Sequence, residues 1–103
     1  MAEIKTVNKY MAISSKRGNG TLRYEVWTIS GVVSRYNLAY INHKISSKDN
    51  GRVLGYDNQH GGHHRHYLGT VEPVDTTDYD EIERRFVTDW MEILEAHNEK
   101  RGR

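Results

Sequence analysis

The stretch TLRYEVWTISGVVSRYNLAYI, residues 21–41, decides the fold that the sequence predicts. Within residues 21–30, mainly apolar side chains recur at every second position, as on the buried face of a strand: Leu22, Tyr24, Val26 and Thr28. The opposite face carries Arg23, Glu25, Trp27 and Ile29. Its mixture of charge and Trp27 predicts a face that is only partly covered. Gly31 breaks the run and residues 32–41 alternate again, so the stretch predicts two neighbouring strands.

The segment before this pair gives a mixed signal. Ile4, Val7, Tyr10 and Met11 fit helical spacing, whereas the β-branched and aromatic side chains of residues 4–13 suit a strand. We favour an opening strand.

After residue 41, turn signals separate shorter segments. Asp49-Asn50-Gly51 is a strong hairpin signal because Asn and Gly tolerate positive φ, and it predicts a strand at residues 52–57. A Gly61-Gly62 turn then returns the chain into residues 63–69. Because the connections are short, the predicted sheet is an antiparallel meander.

A polar connector with the only proline, Pro73, leads into a predicted helix. Thr77 with Asp80, or Asp78 with Glu81, resembles a capping box. Apolar residues then recur on one helical face as far as about residue 98: Ile82, Phe86, Trp90, Ile93, Leu94 and His97. The predicted fold is α+β, an antiparallel β-meander of four to five strands packed by a long C-terminal helix, and residues 1–103 form a single domain.

Composition limits the classes of function. The 103 residues carry a net charge of +1, so binding to nucleic acid must rest on a local basic patch. The absence of cysteine excludes disulfides and thiolate metal sites and fits a reducing compartment. We see neither a signal peptide nor an apolar run of the ~20 residues that a membrane helix needs. These observations predict a cytoplasmic protein with no membrane association.

The segment YDNQHGGHHRHYLG, residues 56–69, holds four of the six histidines and is the candidate site. Tyr56-Asp57-Asn58, a short gap and His64-Arg65-His66-Tyr67, followed by a connector and an amphipathic helix, resemble the TumE family of bacterial type II toxin–antitoxin toxins. The resemblance extends from about residue 22 to residue 94. It implies a cytoplasmic toxin that acts on RNA and is silenced by a helix-turn-helix antitoxin. It also carries Asp57, Asn58, His64, Arg65 and His66 into the candidate site.

These residue types suit metal-independent RNA cleavage. Two histidines can share the acid and base roles near neutral pH, and arginine offers a fork to phosphate oxygens. We therefore predict a catalytic set of His64, His66, Arg65 and Asp57, and an RNA-binding set of Asn58, Tyr67, Arg35 and Arg52. Tyr36 and Tyr40 are further candidates for stacking on bases.

Strand alternation raises a difficulty within this set. His64 and His66 share one face, whereas Arg65 and Tyr67 share the other. Unless a bulge re-aims it, Arg65 is expected to pair with an acid such as Asp57 or Glu72. Arg23, Arg35, Lys44 or Arg52 must then contact the phosphate. Asp57 can instead orient a histidine through Nδ1–H.

Other interpretations remain open. The histidine-rich hairpin can be polar surface, and Asp57-Asn58 can be an Asx-turn, in a non-catalytic module that binds protein or RNA. His64 and His66 with Asp57 or His60 could hold Zn²⁺ or Ni²⁺, but the second ligand pair of strong zinc signatures is missing, and we predict no metal and no cofactor. Exposed strand edges favour association, with a homodimer as one form.

Overall fold

The computed structural model describes residues 2–59 and 61–102 and confirms the α+β class. Six strands form one antiparallel sheet: β1 (Ile4–Ile13), β2 (Gly20–Ile29), β3 (Val32–Ile41), β4 (Arg52–Asp57), β5 (His64–Tyr67) and β6 (Thr70–Pro73). One helix, α1 (Tyr79–Arg101), follows them. The strands lie in chain order, which confirms the meander, and the sheet has one strand more than the largest number predicted.

Strands β2 and β3 form a hairpin, which confirms the two neighbouring strands that the sequence predicted. Tyr24 lies opposite Leu38, and Trp27 lies opposite Arg35. The segment with the mixed signal is strand β1, which pairs with β2 along nearly its whole length. Bulges interrupt the pairing of β1 with β2, of β2 with β3 and of β3 with β4.

The connection from β3 to β4 contains the predicted turn. Asp49, Asn50 and Gly51 all have positive φ, the conformation that their residue types tolerate. The buried side chain of Asn42 closes the start of this loop by donating to the carbonyl oxygens of Gly18 and Asn19 at 3.1 and 2.9 Å. The loop is thereby tied to the end of the β1–β2 connection.

Strand β6 was not predicted. Leu68 and Gly69 form the two-residue turn before it with φ values of 49° and 90°. Leucine is an unusual residue for such a turn, so little in the sequence indicates it. The sequence placed Pro73 in a polar connector, but it is the last residue of β6, which lies at the edge of the sheet, where a residue without an N–H is tolerated.

The core lies between the sheet and α1. Ile82 and Phe86 are fully buried against β3 and β4, and Trp90, Ile93 and Leu94 extend the same contact. The predicted apolar face of the helix is therefore confirmed. Asp78 is the N-cap, accepting from the backbone N–H of Asp80 at 3.0 Å, and the helix ends three residues beyond the predicted residue 98.

Because α1 covers only one side, the sheet has a helix face and an opposite face, called the open face below. Most of β1 extends beyond the helix and is exposed on both sides, with Ile4 61% and Tyr10 60% accessible. In the part of the chain that the structure describes, no helix is long and apolar enough to cross a bilayer.

Candidate functional site

Residues 56–67 divide between the two faces of the sheet. In the pairing of β4 with β5, Asp57 lies opposite His64 and Gly55 lies opposite His66, which places both histidines on the open face. Tyr56 lies opposite Arg65 and contacts Phe86 of the helix, so this pair lies on the helix face. The predicted alternation of His64, Arg65 and His66 is present without a bulge that would re-aim Arg65.

The centre of the open-face site is a bonded chain of three side chains. Nε2 of His66 lies 3.0 Å from Oδ2 of Asp57, and Nδ1 of His66 lies 3.0 Å from Nη2 of Arg52. Nη1 of Arg52 lies 3.8 Å from the same Asp57 oxygen. Asp57 is 8% exposed, so its carboxylate is largely withdrawn from water. Asp57 does orient a histidine, but through Nε2 rather than the Nδ1 that we expected.

Arg52 reaches this face because of a bulge. Leu54 pairs with Tyr40 and Arg52 pairs with Ile41, which leaves Val53 as the extra residue and reverses the alternation at Arg52. The side chain then lies across Gly55, where an added Cβ would be 2.9 Å from Cδ of Arg52. Gly55 therefore keeps open the space through which the guanidinium reaches His66.

Asp49 holds the other side of the same guanidinium. Its Oδ2 accepts from Nε of Arg52 at 2.8 Å. The turn that the sequence predicted therefore also supplies a carboxylate to the site, a role that we did not predict for Asp49.

His64 is the second histidine of the open face. It is half-buried, and it forms no side-chain hydrogen bond with another of the described residues. Side chains two positions apart on a strand project about 6.6 Å from one another on the same face. His64 and His66 are therefore near enough to contact neighbouring atoms of one RNA strand.

Arg65 and Tyr67 are not part of this arrangement. Nη1 of Arg65 lies 3.2 Å from Oε1 of Glu72, as one of our alternatives predicted, and its Nε lies 3.5 Å from Oδ2 of Asp89 in α1. The guanidinium also covers the ring of Tyr67 at 4.5 Å. Arg65 is therefore separated from His64 and His66 by the sheet, and Tyr67 has no open ring on the histidine face.

Asn58 uses its amide within the fold. Its Oδ1 accepts from the backbone N–H of Tyr36 and its Nδ2 donates to the carbonyl of Ser34, both at 3.0 Å. Asp57 Oδ1 accepts from the N–H of Gln59 at 3.3 Å, which is an Asx-turn contact. The Asx-turn that we considered as an alternative for Asp57-Asn58 is thus present, and the same Asp57 carboxylate also bonds to His66.

The remaining tyrosines of the prediction are core residues. Tyr36 and Tyr40 are 1% and 0% exposed and cannot stack on an unpaired base without unfolding the sheet. Tyr36 donates or accepts a 2.8 Å hydrogen bond with Nδ1 of His63, so this third histidine faces the start of α1. Burial raises the pKa of the Tyr36 phenol, and the Asp57 carboxylate raises it further.

The open face continues across β3, β2 and β1 as a charged and aromatic surface. The guanidinium of Arg35 lies 4.1 Å over the ring of Trp27, and its Nη2 lies 3.0 Å from Oε1 of Glu3. Burial acts to raise the pKa of Glu25, but the 2.7 Å contact with Lys5 and the neighbouring cations outweigh it and hold that pKa below its ordinary value. The expectation of a partly covered face is therefore confirmed.

Tyr10 belongs to this surface and was missed as a candidate. It lies opposite Arg23 on β1, and its ring is more exposed than that of any tyrosine we selected. The pairing of β1 with β2 places Tyr10 on this face. The sequence could have shown it only if the register of the two strands had been known.

The structure gives no support to a metal site among residues 2–59 and 61–102. Within those ranges no three His, Cys, Asp or Glu side chains are grouped so that they could hold an ion. Both ring nitrogens of His66 are bonded to protein groups, Nδ1 to Arg52 and Nε2 to Asp57. His60, the alternative ligand to Asp57, lies outside the described residues.

Comparisons of the chain with protein-family models, with curated proteins and with solved structures found no match.

Proposed function

We propose that the protein is an RNA-directed toxin that cleaves its substrate without a metal, at the open-face site of Arg52, Asp57, His64 and His66. The observation that carries the proposal is the Asp57–His66–Arg52 chain on the face that the helix leaves uncovered. It combines an oriented imidazole, a guanidinium and a second histidine within one strand pair. Together these supply the base, the phosphate contact and the acid of RNA cleavage.

The surface beside the site supports RNA as the substrate. Arg35 stacked on Trp27 presents a guanidinium plane, and Tyr10 presents an exposed ring. Single-stranded RNA is commonly bound by sheets that offer such planes to its bases and cations to its phosphates. The arginines here already have carboxylate neighbours, so RNA phosphates must compete with them.

The toxin role rests on the resemblance to TumE proteins, through Tyr56-Asp57-Asn58 and His64-Arg65-His66-Tyr67. It implies a cytoplasmic protein and a helix-turn-helix antitoxin as partner. The exposed strand β1 gives that partner, or a second copy of the chain, an edge with which to pair. A helix-turn-helix protein encoded beside this chain that relieves its growth arrest would support the toxin role, and a chain that arrests no growth would contradict it.

Cleavage is tested with purified wild type, His64→Ala and His66→Ala, incubated with single-stranded RNA in the presence of a chelator. We expect products with 2′,3′-cyclic phosphate and 5′-hydroxyl ends from wild type, and a rate about 10²–10⁴-fold lower from each variant. His43→Ala is the matched control, because His43 is exposed on the β3–β4 loop. Equal rates from all four proteins would remove the open-face histidines from the mechanism.

A second candidate function is an RNA-binding module without catalysis. The observation that favours it is that both ring nitrogens of His66 are already bonded. Wild type that binds RNA but leaves it intact over long incubation would establish this function. In that event His66 is a structural residue that fixes β5 against β4.

A further inference from the structure

The ring of His66 has no free nitrogen in this structure. A guanidinium can only donate hydrogen bonds, so Nδ1 must accept the bond from Arg52. The ring proton therefore lies on Nε2 and is donated to Asp57. In this arrangement His66 is oriented as a general base requires, but its lone pair is occupied.

Arg52 is held unequally by its partners. Asp49 is a charged acceptor at 2.8 Å, whereas His66 is a neutral acceptor at 3.0 Å. The guanidinium is charged in both bonds, but only the bond to Asp49 joins opposite charges and so adds Coulomb attraction. The contact with His66 is thus one that an anion can replace while Asp49 keeps Nε in place.

An anion has access to this guanidinium. The Arg52 side chain is 20% exposed and lines an open depression of about 230 Å³ together with Arg23, Ile41, Asp49 and Asn50. Nε of Arg23 is buried there and has no hydrogen-bond acceptor among the described residues. Its nearest carboxylate oxygen, on Glu25, is 3.5 Å away. Two guanidinium groups thus line one depression.

We infer that a phosphate group of bound RNA takes the place of His66 at Arg52 and thereby releases Nδ1 of His66 to act as the general base. Arg52 is then a substrate-operated gate, and Asp57 is a positioning residue that keeps the ring proton on Nε2. The inference rests on the proposed function and deepens it. The lone pair on Nδ1 of His66 is then occupied only when no phosphate is bound.

Cleavage then moves one proton to His66 and one from His64. The 2′-hydroxyl proton moves to Nδ1 of His66 while the 2′-oxygen bonds to phosphorus and the bond from phosphorus to the 5′-oxygen breaks. Protonated His64 gives its proton to the leaving 5′-oxygen. His66 becomes an imidazolium beside the Asp57 carboxylate, and exchange of protons with water restores both rings.

The test follows the two ring nitrogens of His66 by NMR of histidine-labelled protein at constant pH and ionic strength. The probes are inorganic phosphate and an uncleavable 2′-deoxy oligonucleotide, each compared with chloride. In wild type we expect the Nδ1 resonance to move away from the position of a hydrogen-bonded acceptor as phosphate is added. In Arg52→Met the Nδ1 resonance should have this shifted position before phosphate is added, and phosphate should change it no further.

Arg52→Lys is the second variant, for the case in which Arg52→Met does not fold. It keeps the charge near Asp49 but lacks the fork that reaches His66, so it too should show a released Nδ1. Arg84→Met, on the outer face of the helix, is the matched control and should behave as wild type. The gate is overturned if phosphate leaves the Nδ1 resonance of wild type unchanged. It is also overturned if phosphate moves that resonance as far in both Arg52 variants as in wild type.

The proposed gate and the proposed ribonuclease activity can be disproved separately, because the NMR test requires no cleavage. A wild type that cleaves RNA while His66 ignores phosphate overturns the gate alone. A wild type whose His66 responds to phosphate but which never cleaves RNA supports the release and overturns its catalytic purpose.

Discussion

Arg65 and His66 are consecutive in the chain, and their side chains lie on opposite faces of the sheet. Arg65 contacts Asp89 of the helix at 3.5 Å, whereas His66 bonds to Asp57 on the open face at 3.0 Å. The segment that the sequence presents as one cluster therefore consists of two arrangements with a sheet between them. One can support chemistry, and the other fastens the helix to β5.

This division predicts different consequences for substitutions at the two neighbours. His66→Ala should lower RNA cleavage about 10²–10⁴-fold, because it removes the base. It should also lower the free energy of unfolding by about 1–3 kcal/mol, because the largely buried Asp57 carboxylate loses a hydrogen-bond donor. Arg65→Met should leave the cleavage rate close to wild type. It should lower the free energy of unfolding by about 1–3 kcal/mol, because Asp89 loses its cation. Initial rates and urea unfolding of both variants check this, and the reverse pattern would place the chemistry on the helix face.

The hydrogen bond from Tyr56 should stabilise the contact between helix and sheet more than any other polar interaction there. Its hydroxyl donates to Oδ2 of Asp89 at 2.5 Å, and burial followed by Asp89 raises the pKa of the phenol, so it stays a donor. Tyr56→Phe should lower the free energy of unfolding by about 1.5–3 kcal/mol, the range for a hydrogen bond to a charged group. Urea unfolding measures the change. Tyr10→Phe, which alters an exposed ring, is the control and should be neutral.

Alkaline pH should destabilise the fold through its buried tyrosines. Burial raises the pKa of Tyr36, Tyr56 and Tyr79 above the ordinary value of 10.0, with Asp57, Asp89 and Glu83 adding to the effect. The unfolded chain therefore releases these protons first, and stability, complete below pH 10, falls as pH rises above it. The slope should reach about 1.4 kcal/mol per tyrosine for each pH unit. Unfolding followed from pH 8 to 11 tests this, and Tyr56→Phe should reduce the slope by one tyrosine's share.

The sequence alone was sufficient for much of the fold. Alternation located β2 and β3, the Asp49-Asn50-Gly51 turn located β4, and helical spacing located α1. It failed at β6, because a Leu68-Gly69 turn lacks the usual residue signature and the edge position that makes Pro73 acceptable is a property of the complete sheet. Local patterns reveal local structure, whereas the position of a strand in the sheet depends on all the others.

The site was predictable in part for the same reason. Strand alternation alone was enough to separate His64 and His66 from Arg65. The convergence of Arg52 on His66 depends on the bulge at Val53, and no residue type there indicates it. Tyr10 joins the open face through the register of β1 with β2, which a single sequence does not disclose. Asp49 reaches the site from the turn before β4.

Gly55 should control the position of Arg52. In Gly55→Ala the new Cβ would be 2.9 Å from Cδ of Arg52, so the guanidinium must lift away from His66. We expect a loss of about 1–3 kcal/mol in stability from the tighter packing. We also expect the Nδ1 resonance of His66 to have, without phosphate, the position that phosphate produces in wild type. Gly62→Ala is the matched control, since its Cβ would meet His64 at an ordinary 3.6 Å; a gate that stays closed in Gly55→Ala would contradict the role of this glycine.

Arg35 should contribute a phosphate contact distant from the histidines. Its guanidinium is fixed over Trp27 at 4.1 Å and is paired with Glu3, so it offers RNA a preorganised cation on the same face. Arg35→Gln should weaken binding of an uncleavable single strand and reduce the slope of log K against log salt by about 0.7, the value for one lost phosphate contact. Fluorescence anisotropy at several salt concentrations measures both quantities, with Arg84→Gln on the outer helix surface as the control. An unchanged slope in Arg35→Gln would mean that RNA does not extend across β3, and the binding surface would then be confined to β4 and β5.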